Sequence, residues 1–448
     1  MSASLEQLLR DARIDLVLSR IEKDSSVIDE VINNVENEIR SIKFNSIYVL
    51  GELGEKAGLN AIPKIVKCLD DNDWSIRREA ARSLGKIGKL AEEAIPSLIK
   101  LANDSELTIR TAVMTAIGNI CTPSIDSINC LRIALKDENE EVRAEAADAL
   151  GLIGSDAFEA ISELMISLKD PSWTVRTASA KAISRIGRNT ERAIPALINA
   201  LEDDDWRVRS RVVNTLAQIG DNSIPPLLEK LYHKNKIVRK SAIETLGELK
   251  IASNQIFQHL SIKLKDKSEE VRGKAADALR SIGKEAIPTL IKALETANTK
   301  MKVVIISALG GIGEEAKEAI PTLIMALDAK NKRIRVEASR TLGQIGKESK
   351  EAILALERAL NDPATIVRRE TALSLGKIGP PASNTINSLL ALLGDKKPDV
   401  RWRVTEALGK IRVNTPEVIS GLKSLIHDKC DYVCESADLA IDNITEEN

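Results

Sequence analysis

The chain has 448 residues, of which 43% are hydrophobic and only 2% aromatic: four Trp, three Tyr and three Phe. Its 64 basic and 66 acidic residues leave a formal net charge of −2. That balance lacks the basic excess on which nucleic-acid or anionic-membrane binding usually rests, and the apolar fraction is too high for a disordered chain.

Residues 1–41 open as Met-Ser-Ala-Ser-Leu-Glu-Gln, with no basic segment before an apolar run, so no signal peptide is expected. Leu5, Leu8 and Leu9, then Ile14, Val17 and Ile21, then Val27, Ile28, Val31 and Ile32 have helical spacing. They predict an N-terminal helical cap and the first helix of repeat one.

From 42 to 412 the chain repeats itself. The segment Ile76-Arg77-Arg78-Glu79-Ala80-Ala81-Arg82-Ser83-Leu84-Gly85-Lys86-Ile87-Gly88 returns in strong copies at Val142-Arg143, Val271-Arg272, Ile334-Arg335 and Val367-Arg368. The basic position falls at Lys43, Arg77, Arg110, Arg143, Arg176, Arg209, Arg239, Arg272, Lys302, Arg335, Arg368 and Arg401, with Cys434 closing the series. Spacing is about 33 residues, except for two shorter steps before Arg239 and Lys302 whose deletions fall in the loop between repeats.

Each copy holds two helical patterns. The first begins near a recurring proline (Pro63, Pro96, Pro195, Pro225, Pro288, Pro321), tolerated there because a first-turn N–H has no helical acceptor. An acidic or Asn-rich turn such as Asp70-Asp71-Asn72-Asp73 follows and supplies caps for the second helix. That helix puts Ile76, Ala80, Leu84 and Ile87 on one face, and Gly88, Gly154, Gly187 and Gly283 are expected to end it in left-handed conformation. An inner glycine (Gly51, Gly85, Gly151, Gly343, Gly376) costs about 1 kcal/mol against Ala, which predicts close approach of a neighbouring backbone. Ser184, Ala217 and Arg280 depart from this rule. The Val-Arg arginines, read as a set, predict a ladder of Asp–Arg bridges between repeats.

The acidic turn, the Val-Arg pair, the Ala-Ala pair and the Leu-Gly-x-Ile-Gly ending resemble the HEAT repeat, in its short bacterial phycobilisome-lyase-type form. The resemblance implies an all-α fold, an α-solenoid (superhelix) of about thirteen stacked helix-turn-helix repeats whose second helices line the concave side. It also suggests a bilin lyase-type subunit or phycobiliprotein chaperone as an alternative, and a HEAT-like nucleic-acid binder as a second. No His is followed by Glu, so the His-Glu dyads of the HEAT-like deoxyhypusine hydroxylases are missing.

At about 100° per residue, one stripe of each second helix lies opposite the core. It reads Arg40, Phe44, Tyr48, Glu52 in repeat one and Trp74, Arg78, Arg82, Lys86 in repeat two. Repeat five gives Trp173, Thr177, Lys181 and Arg185, repeat six opens with Trp206, and repeat twelve holds Trp402 and Lys410. Twelve repeats with four stripe positions hold six of the ten aromatics, including every Trp, and thirteen basic against eight acidic residues. Trp and Arg on an exposed surface are the compositional mark of a protein interface. The charge is segmented: repeats two, five, ten (Arg340) and eleven (Arg369, Lys377) are basic, while repeats four and eight are acidic. Phosphate would be repelled by those interruptions, so the expected partner is a protein or peptide in the concave groove rather than nucleic acid.

Residues 413–448 diverge, with Cys434 in the arginine position, and predict a C-terminal capping repeat. His427, Cys430 and Cys434 form a weak metal candidate, one hook where zinc wants four ligands. Five scattered cysteines give no disulfide framework and no run reaches the ~18 apolar residues of a membrane span. With no Gly-x-Ser-x-Gly elbow and no phosphate loop, the sequence predicts a non-enzymatic, cytoplasmic scaffold without cofactor.

Overall fold

The computed structural model describes residues 3–187 and 189–445, and their regular structure is helical throughout. The chain forms two compact units, 1–227 and 228–448. Each is a stack of helix pairs, so the fold is an all-α solenoid.

The N-terminal unit begins with the helices Leu5–Arg10, Ile14–Lys23 and Val27–Asn34. Six second helices of fourteen residues follow: Arg40–Leu53, Trp74–Ile87, Leu107–Ile120, Glu140–Ile153, Trp173–Ile186 and Trp206–Ile219. The C-terminal unit repeats the plan with Lys236–Leu249, Glu269–Ile282, Thr299–Ile312, Lys332–Ile345, Thr365–Ile378 and Pro398–Ile411, and ends on Asp431–Thr445. First helices are shorter, and several, among them Ile95–Lys100, Ile194–Ala200, Ile287–Thr296 and Ile320–Leu327, carry proline in their first turn. In both units the apolar stripes of the two helix types close a continuous core; Ile76, Leu84, Leu98, Leu290, Leu342 and Leu408 are all buried. Burying one such side chain contributes roughly 1.5–3 kcal/mol.

The turns do two jobs with two polar side chains, a ladder Asp and, two residues on, a capping Asp or Asn. Asp73, Asn139 and Asp205 accept the second-position N–H of the helices they precede. The other side chain takes part in the ladder. Arg77 Nε donates to Asp104 Oδ2 at 3.0 Å, and Arg77 Nη1 donates to the Asp71 carbonyl at 2.9 Å. One guanidinium therefore ties its own turn to the next repeat's turn. The same geometry recurs at Arg110–Asp137, Arg143–Asp170 and Arg176–Asp203, with Lys43–Asp71 as the first rung. In the C-terminal unit it recurs at Arg239–Asp266, Arg335–Asp362, Arg368–Asp395 and Arg401–Asp428. Among the described residues, Arg209 and Arg272 keep only their own turn carbonyls, Asp203 and Asp204 for one, Asp266 and Lys267 for the other.

The helix-ending glycines correct one expectation. Gly88, Gly154 and Gly283 have positive φ but ψ between −136° and −145°. That region is essentially closed to residues with a Cβ. True left-handed geometry appears where the repeat has no glycine there: Cys121, Lys250 and Arg412 sit at φ 54°, 53° and 59° with ψ 37°, 29° and 39°.

The inner glycines are explained by backbone approach. A Cβ on Gly85 would lie 2.8 Å from Ala116 Cα, and one on Gly118 would lie 2.8 Å from Ala149 Cα. Small residues thus face small residues on successive second helices. Arg280 fits because its neighbour gives way: a Cβ on Gly311 would stand 2.5 Å from Arg280 Cδ. The Arg280 side chain crosses that bare position and pairs with Asp277 at 3.3 Å.

Candidate functional site

The stripe lies on the solvent side of the second helices, opposite the buried face. In repeat one Phe44 and Tyr48 are half-buried. Lys86 of repeat two lies 5.0 Å from the Tyr48 ring centre and pairs with Glu52. Trp74 opens its helix 44% exposed, with the Arg78 guanidinium 5.1 Å from its ring centre. Arg82 and Lys86 are exposed on the same face.

Repeats five and six form a second aromatic patch in the N-terminal unit. Trp173 is 37% exposed and Trp206 is 68% exposed. The Arg207 guanidinium stacks 3.4 Å from the Trp173 ring centre while pairing with Asp205. Such a cation–aromatic stack holds the ring flat and contributes about 0.5–1 kcal/mol at an exposed site. Lys181 bridges back to Asp148 at 2.7 Å, so a basic residue of repeat five neutralises one of the two stripe acids of repeat four; Arg185 is exposed.

In the C-terminal unit Arg340 is held between Glu337 and Glu370, at 2.7 and 2.9 Å. Both carboxylates are buried, and the Glu370 hydrogen bond, working against burial, raises the Arg340 pKa. Arg369 is half-buried and Lys377 exposed. Trp402 is half-buried, with Arg403 3.8 Å over its ring and Tyr432 edge-on at 5.7 Å. Lys410 pairs with Glu406 on its own helix.

Three participants escaped the sequence reading. Arg207 lies one position beyond the stripe, so a wheel drawn on one helix misses its stack on the preceding repeat's Trp. Tyr432 sits in the divergent last repeat. Glu79 is 2% exposed beneath Arg78 and Arg82, and its Oε1 has no hydrogen-bond partner among the described residues. Burial raises its pKa against the pull of Arg82, Lys86 and Arg78.

Among the described residues no group of three or more His, Cys, Asp or Glu is arranged to hold a metal ion. His427 is exposed, and Cys434 Sγ donates instead to the Asp428 carbonyl at 3.2 Å. All five cysteines are free thiols; burial pushes Cys68 and Cys130 up to about 11, whereas Cys121 is exposed. No described helix is long and apolar enough to cross a membrane.

Paired helices, repeating turns and a variable exposed stripe define a repeat solenoid whose framework and surface are separate sets of residues. The HEAT-repeat profile matches residues 28–118, 101–184, 128–217, 161–247, 224–300, 287–376 and 353–441, and the chain belongs to the HEAT-repeat family. No curated protein matches it in sequence. Similar solved structures include Kap121p bound to Pho4p, with 16% identity, a TM-score of 0.62 and coverage of 92% of this chain and 52% of that one. Kap121p bound to the extreme C-terminus of the phosphatase Cdc14p gives 13% identity, a TM-score of 0.61 and coverage of 93% and 53%. Kap95p in complex with RanGDP gives 14%, 0.57, and 95% and 67%. The chain thus spans about half the length of the Kap121p chains, and at these identities the likeness is one of fold.

Proposed function

We propose that the chain is a non-enzymatic, cytoplasmic scaffold or adaptor that holds a protein or peptide along the groove lined by its second helices. The observation that carries this reading is the row of exposed tryptophans, Trp74, Trp173 and Trp206, each at the first position of a second helix. Large flat side chains left in water at equivalent repeat positions favour a contact surface. Trp402 adds an anchor in the other unit, and Phe44, Tyr48, Arg82, Arg185, Arg369 and Lys377 supply further contacts. Arg78, Lys86, Lys181, Arg340 and Lys410 hold neighbouring side chains in place. The fold likeness to Kap121p, solved with bound protein segments, agrees with this use of a solenoid. Residues 1–41 and 413–448 act as caps in the same proposal, and the repeats are of the phycobilisome-lyase type.

The test is affinity capture from native extract, with wild-type bait beside a bait in which the four tryptophans are changed to Ala. A protein partner retained by the first and lost from the second, at equal helicity, supports the reading. Equal recovery on both baits overturns it. Bilin bound or transferred by the purified chain would move the assignment to a lyase subunit.

A further inference from the structure

The two units answer the same local problem differently. In repeat ten, Arg340 is satisfied by Glu337 on its own helix and by Glu370 on the next repeat's second helix. In repeat two the equivalent residues are Arg82 and Glu79, but the position corresponding to Glu370 is Ala112. Arg82 forms no ion pair among the described residues, and Arg78 Nε is buried without a partner. In place of the missing carboxylate is a cleft of about 420 Å³, lined by Arg78, Arg82, Lys86, Ala112, Thr115 and Glu141.

We propose that this cleft takes a carboxylate from the partner, an Asp or Glu side chain of an acidic peptide segment, in the place that Glu370 fills in the C-terminal unit. The inference rests on the scaffold reading and deepens it by naming the partner's chemistry. Guanidinium and carboxylate match as planar forks, and charge-assisted hydrogen bonds are about twice as strong as neutral ones. Arg78 is braced on Trp74, so little freedom is lost when an anion arrives. The charges around the cleft favour one added anion over several. Lys86 is already engaged by Glu52, and Glu79 lies beneath the arginines, leaving Glu141 at the rim. A polyanion laid along the stripe would also meet Glu140 of repeat four.

The experiment titrates the full chain into a fluorescent peptide alternating Glu with Leu, beside its Gln-Leu counterpart and a single-stranded oligonucleotide. The expected result is about tenfold tighter binding of the Glu peptide. Ala112→Glu supplies the internal carboxylate and should abolish that preference while leaving helicity and thermal midpoint intact or higher. Arg82→Gln should abolish it too, and covers the case in which Ala112→Glu fails to fold. Glu79→Gln removes the opposing charge and should tighten the Glu peptide. Equal binding of Glu and Gln peptides, or a preference that survives both Ala112→Glu and Arg82→Gln, overturns the proposal. Tighter binding of the oligonucleotide, lost in Ala112→Glu, overturns it in favour of phosphate recognition. A captured partner lost with the tryptophans but kept by the Ala112→Glu bait would leave the scaffold reading standing and remove only the carboxylate anchor.

Discussion

The ladder runs unbroken from Lys43 to Asp203 in the N-terminal unit, where only its last arginine, Arg209, has no rung among the described residues, and it is interrupted midway in the C-terminal one. From Lys43–Asp71 to Arg176–Asp203 every repeat boundary has its rung. In the C-terminal unit Arg239–Asp266 is followed by two boundaries without one before Arg335–Asp362 restores the series. The residues that would carry the missing carboxylates are Thr296 and Ala329. The core is continuous through the same stretch, with Ile287, Leu290, Ile305, Leu309 and Leu323 all buried. Apolar stacking is therefore enough to build the solenoid, and the ladder is a second, separable layer of cohesion. In a repeat array stability is roughly a sum of repeat and neighbour terms, so residues 267–331 should form the softest part of their unit.

The largest expected effect comes from the glycine contacts, which both layers need. Gly118→Val places a branched side chain against Ala149 Cα and should destabilise the N-terminal unit by about 3 kcal/mol. A Cβ on Gly273 would meet no atom within 4 Å, so this position should accept Ala with a gain of about 0.5–1 kcal/mol. Urea titration followed by far-ultraviolet circular dichroism measures both, and equal losses would break the distinction.

Next comes the ladder itself. Arg143→Ala strands Asp170 in a largely buried site and should cost about 2–3 kcal/mol. Arg272→Ala, which gives up only two carbonyl bonds, should cost about 1 kcal/mol. Burial alone would raise the Asp170 pKa, but hydrogen bonds from Arg143 and the Ser172 N–H, with the nearby positive charge, hold it below the ordinary value. A carboxyl depressed in the folded state stabilises above its unfolded pKa of about 3.9. That contribution is lost as pH falls through the folded value. Wild type should therefore lose stability on acidification from about pH 5 more steeply than Arg143→Ala; parallel curves would show the rung to be energetically idle.

The smallest effect is a repair. Ala329 sits six residues before Arg335 and gives it a carbonyl, as Asp71 does for Arg77. Ala329→Asp should therefore build the missing rung to Lys302 and raise stability by about 0.5–1 kcal/mol. Hydrogen exchange should slow most in residues 299–345 if the gain is local, and a uniform change would contradict the layered view.

The repeat, its helix pairs, its caps and the Asp–Arg ladder were legible because each is a short-range pattern copied many times. The stripe was legible only as a face. A helical wheel places Arg78, Lys86, Lys181 and Arg340 together on the solvent side, yet the fold gives each a different neighbour: Trp74, Glu52, Asp148, and the Glu337–Glu370 pair. Those partners stand on adjacent repeats as often as on the same helix, so no single-helix projection finds them. Arg280 read as an exception because its accommodation lies in Gly311, on the following second helix.

By itself, then, the sequence determined the architecture, since periodic apolar spacing, glycine and proline act within one repeat and need no knowledge of its neighbours. What only the tertiary structure decided is which exposed charges are already engaged and which are left for a partner. Arg82 beside Ala112 and Arg340 beside Glu370 look alike along the chain. They differ because the packing of successive helices brings a residue about thirty positions away within reach of a guanidinium, and that residue is a methyl group in one unit and a carboxylate in the other.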